Sequence, residues 1–257
     1  MAERTKYYFA SDFHLGVNAG YTSKERERIL VEWIEAINHD AKEIYFLGDI
    51  FDHWFEYAQV VPKGFNLFLG KLEQLHIDGI QVYFFTGNHD MWMSKYFVKE
   101  FGVQMITTKL IAYIGSKKFY LRHGHGLPTA SIGDKLMQKA FANPILQWSF
   151  ARLHPNLAIK LMKYFSQRSR QSHSYTDLEF NPQNDKMLRF ARLVSKEQND
   201  LDFIIMGHRH LPIDLTLDNG KTRYINLGDW VNFFSYAVFD GENLQIKFFR
   251  DEHRIFS

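Results

Sequence analysis

The run Phe203–Met206 is wholly apolar and stops at Gly207, and His208, Arg209 and His210 follow at once. A short apolar run closed by a turn residue reads as a strand buried on both faces. Such strands belong to parallel sheets that are covered on each side. No other feature narrows the possible folds as much, because the pattern recurs. Residues 7–11 lead into Asp12-Phe-His14-Leu-Gly16, and residues 43–47 into Gly48-Asp49-Ile-Phe-Asp52. Residues 80–85 lead into Thr86-Gly87-Asn88-His89-Asp90, and residues 118–121 into Arg122-His123-Gly124-His125. Every apolar segment is followed by carboxylates, imidazoles or an amide. In an open α/β fold, the carboxyl ends of strands are where a site is built.

Between these segments the spacing predicts helices. Thr22-Ser-Lys-Glu25 is a capping box, and Ile29, Leu30, Trp33, Ile34 and Ile37 then fall on one helical face. A second helix is expected from residue 65 to 76. From 127 to 199 strand-like runs vanish and helical spacing takes over, with Leu136, Met137, Ala140 and Phe141, then Ile145, Trp148 and Phe150, then Leu157, Leu161 and Phe165. This stretch holds eleven basic and five acidic residues, a surplus of six positive charges in a chain whose net charge is +2. Strand patterns return at 223–227, 234–240 and 243–249, the last two as a hairpin around Asp240-Gly241. The expected architecture is an α/β core of residues 1–126 and 200–257 carrying a helical insertion at 127–199.

Seven side chains stand out as metal donors: Asp12, His14, Asp49, Asn88, His123, His208 and His210. Each alone could be an ordinary turn residue. Together they make two carboxylates, four imidazoles and one amide, too many for one ion and suited to two ions sharing a carboxylate. The chain has no cysteine, so thiolate sites and disulfides are excluded. Nitrogen and oxygen donors without sulfur suit Mn²⁺, Fe or Zn²⁺ better than Ca²⁺ or Mg²⁺.

In order, Asp12-x-His14, Gly48-Asp49-x-x-Asp52, Gly87-Asn88-His89-Asp90, His123 and Gly207-His208-x-His210 resemble the motifs of the calcineurin-like metallophosphoesterases. The resemblance implies a four-layer α-β-β-α sandwich with two mixed sheets inside. It implies one divalent ion on Asp12, His14, Asp49 and His210, and a second on Asp49, Asn88, His123 and His208, with Asp49 bridging. His89 would be the catalytic residue, contacting a phosphoryl oxygen or protonating the leaving group. Asp52 and Asp90 are candidates to orient it or the ligands. His53, His125 and Arg209 adjoin ligands and receive no role.

Within that family the chain looks closest to the bacterial UDP-2,3-diacylglucosamine diphosphatases of lipid A synthesis. The basic helical insertion, Leu127-Pro128-Thr129 after the histidine–glycine cluster, and Leu227-Gly228-Asp229-Trp230 before a hairpin carry this likeness. It implies hydrolysis of the pyrophosphate to UMP and 2,3-diacylglucosamine 1-phosphate. The best-known branch of that group has Arg at the position of His89 and Asp at that of His125; His89 matches the wider family instead. Apolar insertion faces could bury acyl chains, and the basic surplus could meet an anionic membrane surface. Arg168-Ser169-Arg170-x-Ser172-x-Ser174 is the segment expected to touch the substrate.

The alternatives are a phosphoesterase for soluble nucleotides or phosphoproteins, and a non-catalytic scaffold of the same fold. A nuclease ranks lower and no nucleic-acid partner is expected, because the basic excess is confined to the insertion. The chain shows no signal-peptide pattern and no apolar run long enough to span a bilayer. The expected location is cytoplasmic, with peripheral attachment to the cytoplasmic face of the inner membrane as an extension.

Overall fold

The computed structural model describes residues 3–129, 132–173 and 180–250. The chain enters through β1 (Lys6–Ala10), α1 (Ser23–Ile37), β2 (Ala41–Phe46), α2 (Asn66–Ile77), β3 (Gln81–Phe85) and α3 (Tyr96–Phe101). It continues through β4 (Gln104–Ile106), β5 (Leu110–Ile114), β6 (Lys117–Arg122), α4 (Ile132–Phe141), α5 (Pro144–Phe150), α6 (Pro155–His173) and α7 (Lys186–Glu197). It closes with β7 (Phe203–Met206), β8 (Pro212–Thr216), β9 (Arg223–Leu227), β10 (Ser235–Phe239) and β11 (Leu244–Phe248).

The strands form two sheets, ordered β11-β10-β1-β2-β3-β4 and β5-β6-β7-β9-β8. The centre of each is parallel: β1, β2, β3 and β4 in one, β6, β7 and β9 in the other. Pleat alternation explains why the central strands are apolar throughout. Along β1, Tyr7 and Phe9 enter the layer between the sheets, while Tyr8 and Ala10 face the outer helices. Along β7, Phe203 and Ile205 enter the same inner layer, while Ile204 and Met206 face outward. The outer face of the first sheet is covered by α1, α2 and Phe97 of α3. That of the second sheet is covered by Met187, Leu188, Phe190, Ala191 and Val194 of α7. The result is the four-layer sandwich, helices outside and two sheets inside.

Local sequence sets the elements that aim the site. Thr22 and Glu25 close the expected capping box on α1. One turn on, buried Arg26 donates to the carbonyls of His14 (3.3 Å), Val17 (3.0 Å) and Ala19 (2.7 Å), so a buried charge is solvated by the loop after β1. Glu27 reaches α2, whose own N-cap makes no side-chain bond, and accepts from the N–H groups of Leu67 (2.8 Å) and Phe68 (3.1 Å). The short edge strands β4, β5 and β8, and α3, were not visible in the sequence pattern. They are three to six residues long and only partly buried, so their periodicity is weak.

Candidate metal centre

The carboxyl ends of both parallel strand sets meet at one rim. Gly207 N–H donates to His123 O (2.8 Å), and His208 N–H reaches across to Asp12 Oδ2 (2.9 Å), which joins the two sheets there. Asp12 and His14 leave the extended conformation of β1. Both are left-handed, with φ of 59° and 46°, as are Asp49 (51°), His208 (66°) and His210 (58°). Among the described non-glycine residues only Phe65 and Phe234 share that region. A Cβ makes it unfavourable, so surrounding bonds must hold it. They do: Asp12 N–H donates to Gly48 O (3.1 Å), His14 N–H to Asp49 O (3.0 Å) and Trp230 N–H to Asp12 O (3.0 Å). Glycine is needed beside them for closeness. A Cβ on Gly87 would lie 2.0 Å from Asp49 Oδ1, and one on Gly207 would lie 2.6 Å from Asp12 Oδ2.

Three sets of donors converge, each with its atoms within 4.8 Å of one another: Asp12, His14 and His210; His14, Asp49 and His89; Asp49, His123 and His208. His14 and Asp49 are shared, so the sets form one continuous centre. Asn88 joins it, with Oδ1 3.3 Å from His123 Nε2. All seven expected donors are therefore brought together. Two rings are aimed through their far nitrogens. His123 Nδ1–H donates to Leu47 O (2.6 Å), turning Nε2 to 3.4 Å from Asp49 Oδ2. His210 Nδ1 sits 3.1 Å from Asp229 Oδ2, turning Nε2 to 3.4 Å from Asp12 Oδ1. Orientation of a ligating histidine through its other nitrogen is typical of metal sites. The His210 side chain is 36% exposed while Asp12 and Asp49 are buried, so His210 marks the mouth.

Buried polar atoms normally find partners. Here Asp12 Oδ1, Asp49 Oδ2 and both ring nitrogens of His14 have none. Burial raises the Asp12 carboxyl above its usual range, outweighing His210 and His123. Burial also opposes charge on Asp49, yet His123, His89 and His14 hold it well below that range. His14 and His208 are pushed well down by burial. For His123 and His210 burial is outweighed, by Asp49 in the first and by Asp12 and Asp229 in the second, and both rise to about 9. Buried anions that draw protons onto neighbouring imidazoles, with oxygens left unbonded, are a donor set that fits divalent cations.

His89 lies at the edge of this centre. Its N–H donates to Asp49 Oδ1 (2.9 Å). Its ring Nδ1 is 3.1 Å from Asp52 O and 3.1 Å from Ser166 Oγ, and Ser166 Oγ–H donates to Asp52 Oδ1 (2.6 Å). Asp52 thus meets His89 through its backbone carbonyl, alongside a serine from α6. Asp90 acts elsewhere: it accepts from the N–H groups of Ile50 (2.7 Å), Phe51 (3.2 Å) and Gly87 (2.8 Å), tying the loop of Asp49 to that of Asn88. Burial, with Asp49 nearby, raises its carboxyl to about 7. Arg209 Nε donates to Asp185 (2.9 Å), the N-cap of α7. His125 is pushed down to about 3 by burial. Ser174 lies outside the described residues, as do the side chains of Arg168, Ser169, Arg170 and Ser172.

Sequence reasoning missed the roles of Asp229 and Ser166. Asp229 follows a glycine at the end of β9, as Asp49 follows one after β2, so the same signal was present. Ser166 lies mid-helix and carried no signal.

The family model for calcineurin-like phosphoesterases matches residues 5–212, most of the chain. The chain belongs to this family. A calcineurin-like phosphoesterase of this kind is a metal-dependent hydrolase that binds divalent cations, in agreement with the donors at the rim. A relative from Porphyromonas gingivalis named UDP-2,3-diacylglucosamine hydrolase is 38% identical over 260 residues, covering 96% of this chain and 99% of that protein. A protein of the same name from Serratia proteamaculans is 27% identical over 224 residues, covering 86% of this chain and 90% of that one. One from Vibrio atlanticus is 27% identical over 257 residues, covering 94% and 96%. Among the described residues no helix is long and apolar enough to cross a membrane.

Proposed function

We propose that this phosphoesterase hydrolyses the pyrophosphate of UDP-2,3-diacylglucosamine, giving UMP and 2,3-diacylglucosamine 1-phosphate. The observation that carries the hydrolytic chemistry is the pair of buried, unbonded carboxylate oxygens, Asp12 Oδ1 and Asp49 Oδ2, ringed by five imidazoles. The names of relatives that align over nearly the whole chain support the substrate.

One ion would rest on Asp12, His14, Asp49 and His210, the other on Asp49, Asn88, His123 and His208, with Mn²⁺ as the physiological metal. When bound, such a pair makes hydroxide available from water at neutral pH and offsets charge on phosphoryl oxygens. Asp49 is the natural bridge, because its carboxylate belongs to two of the three donor sets. His210 and His123 must each lose a proton to coordinate; Asp229 and the Leu47 carbonyl keep the rings aimed as they do. With Nδ1 of His89 held by Asp52 and Ser166, Nε2 remains to meet the substrate. As water oxygen bonds to one phosphorus and the bridging P–O bond breaks, His89 would hydrogen-bond a phosphoryl oxygen or deliver the proton to the departing phosphate.

The helices α4 to α6 would act as a lid. Leu136, Ile145, Trp148, Leu157 and Phe165 are all more than half exposed, an apolar surface suited to acyl chains or to the face of a bilayer. The protein would then work in the cytoplasm, peripherally on the inner membrane. The test is incubation of purified protein and Mn²⁺ with UDP-2,3-diacylglucosamine, following UMP. Release of UMP that stops with chelator is expected; no release, with a small diester still hydrolysed, would remove the lipid substrate.

A further inference from the structure

A cleft of about 990 Å³ lies beside the metal centre, between the start of α1, the segment leading into α2, and α6. Lys24 and Arg28 line it from α1, Lys63 from the segment before α2, and Lys160 and Lys163 from α6. All five are exposed, and none forms an ion pair with a described residue. The lone carboxylate in the wall, Glu27, is committed to the first turn of α2. Five like charges around one concavity repel one another, and an anion placed among them is attracted by all five.

The cleft adjoins the centre. His53 lines it, and His53 Nδ1 is 3.9 Å from Asp52 Oδ2. Gly16 lines it too, two residues from His14. The wall from α6 is made by Asn156, Ile159, Lys160 and Lys163. That spacing is one helical face, and its next member is Ser166, the residue on His89. A single stripe about 15 Å long therefore runs from the cleft to the candidate catalytic histidine.

We infer that this cleft is the subsite for the nucleotide half of the substrate, a pyrimidine nucleoside monophosphate. The inference rests on the proposed activity and goes beyond it by assigning a place to one product. The cations would hold the phosphate and ribose. Asn18, Asn66 and Asn156 in the wall supply the paired donors and acceptors that a pyrimidine's imide and carbonyl edges need, and Phe65 and Ile159 supply limited apolar surface for the ring. The acyl half would have its own surface, the exposed apolar residues of α4 to α6.

Titration of the Mn²⁺-loaded protein with UMP, uridine and inorganic phosphate tests the assignment. UMP should bind more tightly than inorganic phosphate. The exposed double variants Lys160→Ala/Lys163→Ala and Lys24→Ala/Arg28→Ala should each weaken UMP at least about tenfold and raise KM for the UDP-lipid. Mn²⁺ content should not change, and hydrolysis of bis(p-nitrophenyl) phosphate, which carries no nucleoside, should fall by less than the affinity for UMP. UMP affinity unchanged in both variants, or phosphate binding as tightly as UMP, would overturn the subsite. The substrate reading fails separately: if the wild-type protein releases no UMP from the lipid while UMP binding still depends on these lysines, the cleft assignment stands and the lipid assignment falls.

Discussion

The rim of the sandwich and the helices above it obey opposite rules. At the rim Asp12, His14, Asp49 and His123 are buried and Asn88, His208 and His210 partly so, the backbone is held left-handed at five candidate donor positions, and each loop is bonded to its neighbour. In α5 no residue is buried, and Ile145, Leu146 and Trp148 face outward. Apolar surface left uncovered there is not contributing to stability; it is available to something else. On the proposed function, divalent ions would require donors held in fixed positions. The proposed lipid substrate would enter beneath helices exposed in this way. Three helices touch the core: α4 and α5 pack Phe141 and Phe150 on Trp92 and Phe55, and α6 buries Ala158 and sends Ser166 to His89.

The sharpest test of the rim is Asp49→Asn, which keeps the shape and the bond from His89 N–H but removes the bridging charge. Turnover should fall by at least about a thousandfold, with bound metal lost by elemental analysis and an unchanged far-UV spectrum. Full activity would break the two-ion picture. His208→Ala should behave alike.

Next in size is excision of the helices. Removing α4 to α6 while keeping α7 should abolish activity on the diacylated substrate and leave a small phosphodiester turned over, within the loss due to Ser166. Equal loss on both substrates would make these helices structural. Removing α7 as well should leave insoluble protein, because α7 covers the second sheet. In the same vein Phe190→Ala, in α7, should cost about 3–5 kcal/mol by denaturant unfolding.

A smaller effect is expected for Ser166→Ala. Losing its bond to Asp52 and its contact with His89 should lower kcat about tenfold with KM little changed, and Ser166→Thr should restore part of it. A change in KM alone would make the serine a substrate contact. The smallest is Trp148→Ala, which should alter stability by under about 0.5 kcal/mol while weakening adsorption to anionic vesicles. A loss as large as that for Phe190 would mean that α5 is a packed element.

Much of the rim was legible along the chain. Each donor follows an apolar strand, and parallel strands deliver their carboxyl ends to one edge, so linear order was enough to propose convergence. Asp229 was legible in principle, since it repeats the strand–glycine–aspartate pattern of Asp49. The left-handed turns at Asp12 and His14 were not, because backbone conformation at a non-glycine residue is imposed by bonds from other loops. Nor was the fate of α7, whose apolar stripe resembles those of its neighbours: Leu188 and Ala191 are buried, whereas Leu136 and Leu157 are not.

Apolar spacing, capping residues and donor chemistry are properties of neighbouring residues, so the sequence alone determined the α/β class, the main helices and the seven candidate donors, while the four-layer sandwich was implied by the family resemblance. Which apolar faces found a partner, and that Ser166 should meet His89 across 77 positions, depend on contacts between distant segments. Only the tertiary structure decided these, because helices with the same pattern can pack on a sheet or stand open to a ligand.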